Sequence, residues 1–132
     1  MKTIFLALTF FSIAILLFSC HKEDLKIKKG TYKGTFTVTY RSETQTGKTT
    51  LELKNSKFSC SGNSNNIPAG GSGSFTFDNG KITFNDENIW TANFDWNLIL
   101  NGQYNYTFDG KKLKIFADKN NLGHYEYNLE IQ

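Results

Sequence analysis

The sequence predicts an all-β domain, an antiparallel up-and-down meander that closes into a small barrel of about eight strands. Three observations predict it. From Thr31 onward, apolar and polar residues alternate with period two in run after run, the pattern of strands with one buried face. Short turn signals separate the runs, Asp78-Asn79-Gly80 and Asp109-Gly110 among them, where Asn and Gly accept positive φ at little cost. No window of eleven or more residues beyond Cys20 keeps a clean 3.6 period, so no helix longer than a single turn is expected there. A meander of that many strands leaves two unpaired edges unless it closes.

The runs follow in order. Phe36, Val38 and Tyr40 share one face against Thr35, Thr37 and Thr39. Leu51 and Leu53 alternate with Glu52 and Lys54, and Cys60 stands in a further strand-like run. Phe75 and Phe77 flank Thr76, and Ile82 and Phe84 flank Thr83. Phe94, Trp96, Leu98 and Leu100 alternate with Asp95, Asn97 and Ile99, which reads as a strand with Ile99 on its polar face. Tyr104, Tyr106 and Phe108 come next, then Leu113 and Ile115, then Tyr125, Tyr127, Leu129 and Ile131. Asn101-Gly102 is read as a third tight turn and Gln45-Thr46-Gly47 as a looser one, with a flexible loop over residues 61–66. Gly70-Gly71-Ser72-Gly73-Ser74 opens a strand and reads as a bulge or barrel corner.

The first twenty residues carry a different message. Lys2 precedes fifteen residues, 4–18, that are apolar apart from Thr9 and Ser12. That is short for a bilayer span and right for a secretory signal. Leu17-Phe18-Ser19-Cys20 resembles a bacterial lipobox, and the resemblance implies cleavage before Cys20 with acylation of its thiol and of the new N-terminus. Two or three acyl chains anchor a protein stably to a membrane. Lys22-Glu23-Asp24 resembles the export signal that sends lipoproteins of Bacteroidota to the outer face of the outer membrane. The expected organisation is a signal peptide at 1–19, a lipidated N-terminus and tether at 20–30, and the barrel at 31–132.

The start of the body, Gly30-Thr31-Tyr32-Lys33-Gly34-Thr35-Phe36, taken with the meander and the lipidated Cys, resembles the small lipocalin-like lipoproteins of Bacteroidota. Tyr32 stands where lipocalins usually carry Trp. The resemblance implies an eight-stranded, lipocalin-like barrel with room for a ligand at one mouth.

Catalysis finds little to work with. His21 lies in the tether, leaving His124 as the one His of the body; an exposed, hydrogen-bonded imidazole is expected there. Cys60, the only thiol left once Cys20 is acylated, reads as a small buried hydrophobe. Asp78 and Asp109 belong to turns, and Asp86, Glu87, Asp95, Glu126 and Glu130 form no singled-out pair. Gly47-Lys48-Thr49 lacks the glycine of a phosphate loop, since Ser42 holds that position. Asn85-Asp86-Glu87-Asn88 reads as a solvated loop rather than a Ca²⁺ site. No catalytic residue, metal ligand or cofactor is expected, and a net charge of +3 is too small and scattered for nucleic acid.

Aromatic residues make up 15% of the chain. Phe36, Phe77, Phe94, Trp96, Tyr104, Tyr106, Phe108, Tyr125 and Tyr127 are the candidate ligand-lining residues. Either they fill the lumen or they line a pocket for one small ligand, since an eight-stranded barrel is wide enough for only one of the two; a third reading is an exposed aromatic strip that binds carbohydrate or protein. The sequence thus favours a non-enzymatic outer-membrane lipoprotein that binds a small apolar ligand; residues 22–24 read either as the export signal they resemble, which implies surface exposure, or as a solvated linker. The alternative is an accessory lipoprotein with a filled core that docks to another envelope protein through Trp90 or Ile99. Inhibition of a protease or lysozyme by a projecting loop at residues 61–67 ranks last, because that loop carries no charge.

Overall fold

The computed structural model describes residues 26–91 and 93–132; the signal segment, Cys20 and residues 21–24 lie outside them. Eight strands follow one another: β1 Gly30–Tyr40, β2 Glu43–Lys54, β3 Lys57–Cys60, β4 Gly71–Asp78, β5 Lys81–Asp86, β6 Gly102–Phe108, β7 Lys112–Lys119 and β8 Gly123–Ile131. Each pairs antiparallel with the next, and β8 returns to β1, so the barrel is closed. β1 holds the two ends together: it runs Gly30↔Leu53 to Tyr40↔Glu43 on one side and Tyr32↔Ile131 to Thr39↔His124 on the other.

The alternation places the side chains as expected. Tyr32, Phe36, Val38, Leu51, Leu53, Phe58, Ile82, Phe84, Leu113, Ile115 and Leu129 are buried inward, while Lys33, Glu52, Lys54 and Lys114 point outward and are exposed. With charges outside and rings inside, the barrel is built for water around it rather than for lipid around its girth. Aromatic rings from five strands meet across the lumen: Phe58 on Phe84 at 4.8 Å, Phe84 on Tyr104 at 5.9 Å, Tyr104 on Tyr127 at 6.2 Å and Tyr127 on Phe36 at 4.6 Å. Each such contact contributes about 1 kcal/mol beyond its buried area. The lumen is therefore filled. Every core residue from Ile27 to Leu129 belongs to this one cluster, so the chain from residue 26 onward contains a complete core.

The barrel has two unlike poles. At the hairpin pole the chain enters at Gly30, and the turns β2–β3, β4–β5 and β6–β7 sit together with the end of β8. At the lid pole lie the β1–β2 and β7–β8 turns, the loop between β3 and β4, and the long connection between β5 and β6.

Four expectations are corrected. Residues 94–100 are not a strand: Asp95 caps a single 3-10 turn, Trp96–Leu98, by accepting from the Asn97 N–H at 2.9 Å. Leu98, Ile99 and Leu100 are then all buried, and Ile99 forms a parallel bridge with Gly70 instead of facing water. Gln45-Thr46-Gly47 lies within β2; the turn is Arg41-Ser42, with Arg41 at φ 53°. Asn101-Gly102 is no hairpin, because the Asn101 side chain accepts from the Asp86 N–H at 2.9 Å and leads the chain into β6. The tether also ends earlier than expected: Ile27 joins the core, and the Tyr32 hydroxyl donates to the Lys28 carbonyl at 2.6 Å.

Gly34, on the inner face of β1 between Tyr32 and Phe36, lets the two end strands meet. A Cβ there would stand 2.0 Å from the Asn128 carbonyl oxygen of β8, a clash with backbone that no rotamer relieves. Gly34→Ala is expected to lower stability by about 3 kcal/mol in urea denaturation. Gly80→Ala, whose Cβ meets nothing within 4 Å, is expected to cost only about 1 kcal/mol for its positive φ.

Candidate functional site

The structure disperses the nine aromatic candidates. Phe36, Tyr104, Tyr125 and Tyr127 are buried in the filled core, so they line no ligand cavity there. The Tyr127 hydroxyl makes no hydrogen bond to described protein atoms; it is packed among rings rather than aimed at a mouth. Trp96 is 56% exposed on the lid turn. Phe94 packs on Trp90 at 5.8 Å, and the Trp90 Nε1 donates to Asp86. Neither Trp90 nor Ile99 is therefore the open contact expected of it. Phe77, Tyr106 and Phe108 remain together near the hairpin pole, with Phe77 5.6 Å from Tyr106.

Tyr106 and Phe108 contribute to a groove of about 910 Å³ that reaches from Gly80 to Lys33 and Gly34. β6, β7 and β8 supply its apolar residues, Tyr106, Phe108, Leu113 and Leu129, while Lys33, Lys112 and Lys114 stand around it with Asp109 and Glu130. Local geometry fixes this rim. Asp109 Oδ1 accepts from the Lys111 and Lys112 N–H groups at 2.9 and 2.6 Å, which holds the β6–β7 turn. Those backbone bonds also hold its carboxyl below the ordinary range. Lys111 pairs with Glu130 at 2.7 Å and Lys114 with Glu126 at 3.0 Å. An apolar floor with cations at its edge suits a ligand that is apolar over most of its surface and polar at one end.

The sequence did not single out the cluster that closes the lid pole. Tyr40 and Tyr125 donate to Asp95 Oδ2 at 2.5 and 3.2 Å. Burial alone would raise the Asp95 carboxyl, but the hydrogen bonds from Tyr40, Asn97 and Tyr125 outweigh it and leave it below the usual carboxylate value. Lys119 reaches in from β7, donating to the Tyr104 hydroxyl and to the Asn101 carbonyl at 3.2 Å. Its ammonium lies 4.5 Å over the Tyr104 ring, and burial pushes it down to about 8. Ala69 and Leu100 donate to the Leu98 and Gly70 carbonyls, tying the lid to the β3–β4 loop. That loop is itself pinned by Asn63, whose Oδ1 accepts from the Asn65 and Ile67 N–H groups.

Other reactive groups are quiet. Cys60 is buried, donates or accepts with Thr49 at 3.3 Å, and is pushed up to about 11 by desolvation. His124 sits partly exposed between Asp118 at 2.8 Å and Glu126 at 3.2 Å; chiefly the Asp118 bond raises its imidazole above its ordinary value. Asn85 and Asp86 are not loop, as read from the sequence, but end β5, and Asp86 accepts from the Ser72 N–H and the Asn88 side chain. Among the described residues no group of three His, Cys, Asp or Glu could hold a metal ion. No protein-family model matches the chain, and no curated protein or solved structure matches it.

Asp95→Asn is expected to destabilise the barrel by about 1 kcal/mol at pH 7, the size of a partly solvated charge-assisted bond. Because the folded carboxyl titrates below the unfolded one, its contribution is complete above about pH 4 and is lost as the pH falls through the folded value. Urea titrations at pH 7 and pH 3 should therefore show the gap between parent and variant closing in acid.

Proposed function

We propose that the protein is a cell-envelope lipoprotein, anchored in the outer membrane through acyl chains on Cys20, whose barrel is a non-catalytic binding module for a small apolar ligand. The observation that carries the binding reading is the groove of about 910 Å³ whose accessible apolar side chains are Tyr106 and Phe108, with Leu113 and Leu129 packed beneath them in the core. The ligand site moves from the lumen, which is filled, to this groove. There the apolar body of a ligand displaces water from the half-buried Tyr106 and Phe108 rings, and the surrounding lysines meet its polar end. The lipobox resemblance at Leu17-Phe18-Ser19-Cys20 supports the anchor, and Lys22-Glu23-Asp24 supports surface exposure.

A second reading has its own observation. Ile89 is 98% exposed, and with Trp96 it belongs to the connection at the lid pole. Apolar groups presented on one long loop suit docking to another envelope protein.

Two measurements test the first reading. Cys20→Ala expressed in its own host should leave the membrane fraction and partition into the aqueous phase of a detergent phase separation; a variant that stays membrane-bound contradicts the anchor. Purified residues 21–132 should bind the apolar anionic dye 1-anilinonaphthalene-8-sulfonate, and Tyr106→Ala together with Phe108→Ala should weaken it about tenfold, equivalent to about 1.4 kcal/mol. Unchanged dye affinity contradicts the groove.

A further inference from the structure

The charges of the barrel are sorted by pole. Three lysines, Lys26, Lys28 and Lys29, stand where the chain enters. Five more flank the adjacent hairpin turns: Lys54 and Lys57, Lys81, and Lys111 and Lys112. Glu52, Asp78, Asp109 and Glu130 oppose these eight at that pole, and Glu87 reaches Lys57 from the start of the β5–β6 connection. The lid pole has the reverse balance, with Glu43, Asp86, Asp95, Asp118 and Glu126 against Arg41 and the half-buried Lys119. The molecule is thus a dipole along its axis, although its net charge is small.

Two further features fall on the basic pole. Phe77, next to the β4–β5 turn, is 42% exposed although it lies on the inward-reading face of β4. The chain also leaves the barrel here, so the segment leading back to Cys20 starts from this pole. The seven residues from Cys20 to Lys26 span at most about 25 Å, which keeps an anchored barrel close to its membrane. Among the described residues Lys54, Lys81 and Lys112 form no ion pair, while Lys57 and Lys111 are taken up by Glu87 and Glu130. Unpaired lysines on the same pole as an exposed aromatic ring are what an anionic lipid surface attracts: the ammonium groups meet headgroup phosphates and the ring enters the interface.

We propose that the hairpin pole is a membrane-docking face, which seats the barrel on an anionic lipid bilayer with its acidic lid pole turned outward. The orientation rests on the lipoprotein reading for its biological setting, but the contact itself needs no acyl chain. It makes Lys54, Lys81, Lys112 and Phe77 the contact residues.

The test uses unacylated residues 21–132 and vesicles of phosphatidylglycerol with phosphatidylcholine, or of phosphatidylcholine alone. Co-sedimentation is expected with the anionic vesicles only, and 0.5 M NaCl should release the protein. Lys81→Gln with Lys112→Gln should weaken binding about 25-fold, near fivefold for each lysine at the surface. Arg41→Gln with Lys48→Gln removes the same charge away from the pole and should change binding less than twofold. Phe77→Ser should weaken binding several-fold, with a salt dependence like that of the parent. Circular dichroism of each variant shows that it is folded. Equal binding to both vesicle types, equal losses in the two double variants, or no binding at low salt overturns the proposal. These outcomes are separate from those of Cys20→Ala, because the vesicle assay contains no acylated protein and the fractionation assay contains no mutated pole.

Discussion

The contact on which the rest of the structure depends is the seam between β1 and β8. Every other pairing joins neighbours in sequence, but this one closes the circle. It brings Phe36 onto Tyr127 and Tyr125 and carries the ring chain across the lumen to Phe84 and Phe58. An open sheet would expose two strand edges and half of these rings to water, so closure and core formation are one event. The seam requires a residue without a side chain where the β1 and β8 backbones approach most closely, and Gly34 fills that place.

A filled interior decides where function has to be. Rings crowd the lumen, the lid segment with Leu98, Ile99 and Leu100 seals one end, and Ile27 with Tyr32 closes much of the other. What remains for recognition is the outside: a groove beside the hairpin pole, two sorted fields of charge, and apolar side chains on one long loop. The groove and the basic pole share Lys112 and the β6–β7 turn, whereas the apolar side chains of the long loop stand at the opposite pole. A tether at one pole gives such a molecule a near side and a far side, and the charges follow the same division.

Much of the fold was legible because it depends on local rules. Period-two alternation marks a strand with one buried face wherever it occurs, and Asn79-Gly80, at φ 45° and 73°, is a turn that any hairpin of this kind accepts. Asn55-Ser56 and Asn120-Asn121 adopt the same positive φ without glycine, so their turns gave no comparable signal. The lid segment misled because Leu98 and Leu100 alternate with Ile99 in sequence, whereas in space all three are buried against the end of the barrel. Only the 3-10 turn capped by Asp95 makes that arrangement, and Asp95 is held by Tyr40 and Tyr125 from strands far away in the chain. Lys119 was likewise hidden: its alternation position is inward, but its role beneath the lid depends on carbonyls of Asn97 and Asn101. The groove needed three strands in register before it existed, so the sequence could name Tyr106 and Phe108 without telling them from the rings of the core.

The most direct test of this account is residue-resolved amide hydrogen exchange on residues 21–132. Closure requires that the amides of β1 and β8 which bond across the seam, from Tyr32 to Thr39 and from His124 to Ile131, be protected as strongly as those shared by β1 and β2. Exchange across the seam at the rate of the exposed loops, with the other seven pairings still protected, would show an open sheet and contradict it.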